Sequence, residues 1–194
     1  MYFDFKIDMN HSNDVWVVSD SHYGHANIVA GISKWDEPEK NCRPFNSIKE
    51  MNDAIVNNIN SKVKREDTLI HLGDVAFGGQ NNVTEFLDRL ECENIIITSG
   101  NHDKFIKHPK VIYFGDYIET RINKTLVCMM HYPMYVWNEQ HRGSVSLFGH
   151  VHAKVPGLGR SRDIGLDATN LQPLHLVTVV NELLRIPMVN NKRH

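Results

Sequence analysis

The chain has 194 residues, 41% of them hydrophobic and 23% charged, and a formal net charge of −2. That length suits one well-buried domain spanning residues 1–194, the composition excludes a disordered or collagen-like chain, and the charge excludes a globally basic nucleic-acid binder. The cysteines Cys42, Cys92 and Cys128 form no C-x-x-C pair, which argues against a disulfide framework and a thiolate zinc site.

No apolar run reaches the ~18 residues of a membrane helix, and the opening stretch MYFDFKIDMNHSND has neither a basic nor an apolar leader segment. The expected location is therefore cytoplasmic, with no membrane partner.

In chain order, Val15-Trp16-Val17-Val18 reads as a short strand that ends at Ser19-Asp20-Ser21-His22. From Ser47 to Val63 the residues Ile48, Met51, Ile55 and Ile59 recur at three- and four-residue steps. With Ser47 as N-cap and Glu50 three positions on, that pattern predicts a helix. Thr68 to Leu72 predicts a second strand, ending in Gly73-Asp74, and Val83 to Leu90 a second helix. Asn94 to Thr98 predicts a strand that leads into Gly100-Asn101-His102-Asp103. Thr125 to Met130 runs into His131-Tyr132-Pro133, and Val145 to Phe148 into Gly149-His150-Val151-His152. Asp163 to Asp167 is read as one more strand and Leu176 to Leu184 as a closing helix, while 34–46, 133–144 and 153–162 are read as long loops.

Five β-type runs therefore end in residues of metal-binding type. Strands interleaved with helices predict an α/β or α+β layered fold, whose function gathers in loops beyond the strand carboxyl ends. Asp20 and His22 are two residues apart, as are His150 and His152, and on an extended segment such pairs point to one side. With Asp74, Asn101 and His131 they make seven carboxylate, amide and imidazole donors, a set that suits Mn²⁺, Fe or Zn²⁺. Seven donors are too many for one tetrahedral ion. They suit two ions sharing a carboxylate, the arrangement that clamps the attacking and leaving oxygens of a displacement at phosphorus.

Asp20-Ser21-His22, Gly73-Asp74, Gly100-Asn101-His102-Asp103, His131 and Gly149-His150-Val151-His152 stand in the order of the calcineurin-like metallophosphoesterase superfamily, which the chain resembles. The resemblance implies a four-layer αββα sandwich, two mixed sheets between helices with a dimetal site at the strand ends. It implies one divalent ion held by Asp20, His22, Asp74 and His152, and a second held by Asp74, Asn101, His131 and His150. Mn²⁺ is the first expectation, with Fe, Zn²⁺ and Ni²⁺ as alternatives. A metal-bridging hydroxide would attack phosphorus, with His102 as general acid and Asp103 orienting it. Gly165-Leu166-Asp167 resembles the family's closing strand and is taken as structural.

Within the superfamily, Gly73-Asp74-Val75-Ala76-Phe77-Gly78-Gly79 lacks the Arg that protein phosphatases of this fold carry there. His22-Tyr23-Gly24-His25-Ala26-Asn27-Ile28, Arg43-Pro44-Phe45 and His131-Tyr132-Pro133 resemble small bacterial and phage phosphoesterases. His25, Asn27 and Arg43 then become substrate-binding candidates, Arg43 through a guanidinium grip on phosphate. Tyr132 and Trp137 could stack on a nucleobase or cover a core edge. His71, inside a strand, reads as a hydrogen-bonded histidine rather than a ligand, and His11, His108, His141, His175 and His194 show no partner pattern.

The expected activity is a phosphodiesterase on nucleotides, cyclic nucleotides among them, with a phosphomonoesterase as the alternative. A single-strand nuclease is a further alternative if Lys34, Lys40, Arg43, Arg142, Lys154, Arg160 and Arg162 form a local basic rim. A binding module that had lost catalysis would be expected to lack a ligand or the acid, and none is missing.

Overall fold

The computed structural model describes residues 14–188; His11, His194 and the segment from which the leader pattern was read lie outside them. Four strands run parallel in the first sheet: β1 (Val15–Val18), β2 (Thr68–His71), β3 (Asn94–Thr98) and β4 (Val111–Gly115). A fifth, β9 (Leu174–His175), pairs antiparallel with β1, giving the order β4-β3-β2-β1-β9. The second sheet has the order β5-β6-β7-β8, from β5 (Ile118–Ile122), β6 (Thr125–Met129), β7 (Val145–Phe148) and β8 (Ser161–Asp163). Its β5 and β6 are antiparallel and its other pairs parallel. The protein is thus an α/β fold of two mixed sheets flanked by helices.

Side-chain alternation decides which residues meet. Val15, Val17, Ile70 and Ile96 of the first sheet join Ile118, Ile122, Val127, Met129, Val145 and Leu147 of the second in one buried cluster. On the opposite face Val18, Leu69, Ile95 and Ile97 pack with α2 (Ile48–Asn60) and α3 (Gln80–Arg89), through Met51, Ile55, Ile59, Phe86 and Leu87. The inner strands β1, β2 and β3 are buried on both sides, which is why their sequences are near-continuous apolar runs. The helix α4 (Leu176–Leu184) adds Leu176, Val179, Val180 and Leu183 to the cluster between the sheets. Leu126 and Cys128 project to the outer face of the second sheet, where the segment 133–144 lays Trp137 over them.

The start of α2 follows its sequence signal. Ser47 Oγ accepts from the Glu50 N–H at 3.1 Å, and Glu50 Oε2 accepts from the Asn46 N–H at 2.9 Å, so donors that open the helix are satisfied from both sides.

Other expectations change. The loop 34–46 contains a short helix, α1 (Pro38–Asn41), opened by a proline whose missing N–H costs nothing at a first turn. The strand expected over Asp163 to Asp167 is β8 at Ser161–Asp163, because Gly165 turns away to bridge Ser19 beside the end of β1. Among the described residues no helix is long and apolar enough to cross a membrane.

Candidate active site

The carboxyl ends of β1, β2, β3, β6 and β7 converge, and the loops that leave them are stitched together by backbone bonds. The Asp20 N–H donates to the Gly73 carbonyl at 3.0 Å and the His22 N–H to the Asp74 carbonyl at 3.0 Å. Gly149 donates its N–H to the His131 carbonyl at 2.9 Å. These bonds bring all seven sequence-predicted donors to one place.

The pairs Asp20/His22 and His150/His152 do not converge by lying on extended backbone, as the sequence suggested. Asp20, His22, Asp74, His150 and His152 all have left-handed backbone, with φ of 58°, 47°, 54°, 71° and 47°. Non-glycine residues hold that region at a cost of roughly 1–2 kcal/mol each. The surrounding packing and hydrogen bonds must hold them there. Two glycines make room for the carboxylates: a Cβ at Gly100 would overlap Asp74 Oδ1 and its backbone nitrogen, and one at Gly149 would overlap Ser19 and Asp20 Oδ2.

Two clusters result, Asp20 with His22 and His152, and Asp74 with His131 and His150, the ligand atoms within each lying within 4.8 Å of one another. Asp74 Oδ2 stands between the two, 3.5 Å from His22 Nε2 of the first and 3.4 Å from His131 Nε2 of its own. His22 Nε2 stands 3.8 Å from Asp20 Oδ1, and His152 Nε2 stands 4.0 Å from the same oxygen. Such gaps are too long for hydrogen bonds. They match the ~3.0–4.2 Å that separates two donors each about 2.1 Å from one shared ion.

The donor set itself calls for a cation. His131 donates its Nδ1–H to the Leu72 carbonyl at 2.8 Å, which turns its Nε2 lone pair toward Asp74 Oδ2 and toward Asn101 Oδ1 at 3.2 Å. His152 likewise donates Nδ1–H to Asp167 Oδ2 at 2.7 Å and presents Nε2 inward. Both nitrogens of the buried His22 ring lack a hydrogen-bond partner. Several lone pairs thus face one another in a largely buried space, an arrangement that a positive charge stabilises and its absence penalises.

The titration of these groups follows. Burial pushes the Asp20 carboxyl up to about 6, against the pull of His131 and His152. Burial likewise forces the His22 imidazole well below its usual range, with Asp74 opposing. For Asp74, burial would raise the carboxyl, but the nearby His131 and His22 rings and the hydrogen bond from the His102 backbone N–H hold it below the usual range. Asp20, His22, Asp74 and His131 are buried, while Asn101 and His150 are exposed, so the centre opens to solvent on one side.

Two sequence assignments are corrected. Arg43 is only 3% exposed, and its guanidinium is committed inward: Nε and Nη2 each donate to the Asp167 carboxylate at 2.9 Å, Nη1 to the Ser21 carbonyl at 2.8 Å and Nη2 to the Asp20 carbonyl at 2.6 Å. It grips the protein rather than a phosphate. Asp103 does not orient the His102 ring; its oxygens accept the N–H groups of Asp74 at 2.7 Å, Val75 at 3.0 Å and Gly100 at 2.9 Å. It holds the backbone that presents Asp74.

Asp167, taken as structural from the sequence, turns out to join Arg43 to His152. Burial alone would raise its carboxyl, but the bonds from His152 and Arg43 bring it well below the usual range. Arg43 and Asp167 are 124 positions apart in sequence, so no local pattern announces the pair.

His102 is exposed, its ring 5.6 Å from that of His22 and 5.3 Å from that of Phe77. Trp137 is 5% exposed and donates Nε1–H to the Ser144 carbonyl, which removes it from any stacking role, whereas exposed Tyr132 lies 4.7 Å from the His150 ring. His71 meets Ser21 Oγ at 2.7 Å, as a hydrogen-bonded strand histidine should. Of the basic residues expected to form a rim, Arg160 donates to the Gly143, Leu184 and Ile186 carbonyls and Arg162 pairs with Glu182. Lys40, which pairs with Glu37, and Lys154 line a cleft of about 540 Å³ that also contains His22, His25, Asn27, Trp35, Phe77, His102 and His152.

Comparison with known proteins agrees with this geometry. Residues 14–125, more than half the chain, match the model of the calcineurin-like phosphoesterase family, and the chain belongs to that family. An uncharacterized protein of Methanocaldococcus jannaschii is 28% identical over 176 residues, covering 86% of this chain and 89% of that one. The crystal structure of a protein of unknown function from Aquifex aeolicus superposes with a TM-score of 0.68 at 19% identity, covering 88% of this chain and 99% of that one. That likeness shows the fold alone. The family and the two side-chain clusters together suit a dinuclear divalent-metal site in a metal-dependent phosphoesterase.

Proposed function

We propose that the protein hydrolyses phosphodiesters of nucleotides, cyclic or linear, at this centre. The observation that carries the reading is Asp74 Oδ2 placed 3.5 Å from His22 Nε2 and 3.4 Å from His131 Nε2, one carboxylate serving two groups of donors. Asp20, His22, Asp74 and His152 would hold one divalent ion, and Asp74, Asn101, His131 and His150 the other. When bound, the pair supplies charge stabilisation for the phosphoryl oxygens and activates water as the nucleophile near neutral pH. The donor chemistry fits Mn²⁺, Fe, Zn²⁺ or Ni²⁺.

The chain's own residues then divide the work. His102, exposed at the mouth of the cleft, protonates the departing ester oxygen, a contribution of ~10²–10⁴ in rate. Its backbone N–H donates to Asp74 Oδ1 at 2.9 Å, which ties the loop that carries the acid to that carboxylate. Asp103 anchors the backbone at Gly100, Asp74 and Val75. Asp167, held by Arg43, fixes His152 with Nε2 inward. His25 and Asn27 line the cleft beside His102 and bound the space for the substituent that leaves. That space favours a diester over a bare monoester.

The test is hydrolysis of bis-p-nitrophenyl phosphate and p-nitrophenyl phosphate by metal-stripped protein reloaded with Mn²⁺, with Asp74→Asn as control. A diester preference that the variant abolishes is expected. A monoester preference would replace the reading by a phosphatase, and no metal-dependent turnover of either would sink it.

A further inference from the structure

We infer that the cleft beside the Asp20, His22 and His152 cluster is a subsite for a nucleobase, in which a planar ring lies against Trp35 and Phe77 while its phosphate rests at the metal-binding cluster. This deepens the phosphodiesterase reading and rests on it.

The cleft holds about 540 Å³, within the range of sites that enclose a nucleotide-sized ligand. Trp35 is 46% exposed and Phe77 39%, although each lies only a ring's width from a buried histidine. Phe77 stacks one face on His25, with centroids 4.1 Å apart and planes 11° apart, and His25 meets Trp35 edge-on at 5.8 Å and 84°. His25 is therefore the spacer that fixes the two aromatic groups relative to each other. Its own substrate contact, expected from the sequence, becomes indirect.

Both aromatic residues are held at the backbone. The Phe77 N–H donates to the Tyr23 carbonyl at 2.8 Å and its carbonyl accepts from Asn82 Nδ2 at 2.6 Å. The Trp35 N–H donates to Ser33 Oγ at 3.1 Å. A rigid aromatic platform binds a planar ring with little ordering cost, whichever base it is. The Phe77 ring also lies 5.3 Å from His102, which sets the platform beside the acid.

Charge points the same way. Lys154 lines the cleft, Lys40 in the same wall is paired with Glu37, and the lining carboxylate Asp167 is held by Arg43 and His152. Lys154 therefore supplies the positive charge that suits a phosphorylated ligand, and the Asn27 amide can bond a base edge.

Calorimetric titration of Mn²⁺-loaded protein with adenosine 5′-monophosphate and with ribose 5-phosphate isolates the base. Stacking should make the nucleotide bind roughly 5- to 150-fold tighter. Trp35→Ala should reduce that ratio to within about 3-fold, and Trp35→Phe, which keeps a ring, should retain most of it. Equal affinities in the wild type, or a ratio indifferent to Trp35→Ala, would overturn the subsite. Hydrolysis of bis-p-nitrophenyl phosphate, measured in parallel, keeps the two readings apart. Turnover with equal affinities removes the subsite and leaves the phosphodiesterase; a large ratio without turnover keeps the subsite and removes the activity.

Discussion

Replacing Arg43 by Met separates a structural clamp from a phosphate grip. The side chain is buried, and its loss leaves the Asp167 carboxylate with His152 alone and the Asp20 and Ser21 carbonyls without their side-chain donor. Breaking a buried ion pair by removing one partner typically costs ~3–5 kcal/mol. The Asp167 side chain is 21% exposed, so water recovers part of its solvation and the lower end, about 3 kcal/mol, applies. For a chain of this size that lowers Tm by ~6–12 °C. Arg43→Lys keeps the charge but not the fork of donors, and should fall between wild type and Arg43→Met. Urea denaturation of the metal-free proteins reads the stability, and steady-state kinetics on bis-p-nitrophenyl phosphate reads the site. Unchanged stability with a raised KM would refute the clamp and restore Arg43 as a substrate contact.

Three further outcomes are expected. His71 is fully buried, and burial holds its imidazole at about 3 against the usual 6.5, so the folded chain binds fewer protons than the unfolded one between those values. Its contribution is complete above pH 6.5 and is lost as pH falls, by about 2 kcal/mol at about pH 5. His71→Gln should flatten the pH dependence of urea stability by that amount, and parallel profiles for the two proteins would contradict it. Gly100→Ala puts a Cβ onto Asp74 and should leave less than one Mn²⁺ per chain by metal analysis after dialysis; full occupancy would show that Asp74 can move. His102→Ala should keep its metal and lose ~10²–10⁴ of the rate on an alkyl ester, with a smaller loss on p-nitrophenyl esters, whose leaving group needs little protonation.

The chemistry was more legible in the sequence than the means by which it is assembled. Carboxylate, amide and imidazole groups placed just beyond apolar runs identify a metal site because few other uses require those residue types in that order. What joins them is long-range. The left-handed backbone of five ligands leaves no residue-type signature beyond the tolerance of Asp and His for it, and Asp167 reaches Arg43 across most of the chain. Among the elements, β5 carries a usable signal in its sequence: Ile118, Thr120 and Ile122 are buried while the charged Glu119 and Arg121 alternate with them on the other face. By contrast β9 is two residues long, too short to display a period, while the edge strand β4 carries the apolar run Val111-Ile112-Tyr113-Phe114, as readable as those of β1 to β3. Arg43 misled because a lone arginine in a loop looks the same whether it faces phosphate or a buried carboxylate.

The His150 N–H donates to both Asp20 oxygens across 130 residues of chain. Closing a contact of that span costs loop entropy that pairing of the intervening strands lowers, so it is expected late in folding. An ion held between the two ends therefore meets a chain that is already nearly native. Its stabilisation falls on the unfolding rate rather than on the folding rate: loading with metal lengthens the life of the folded protein without hastening its birth.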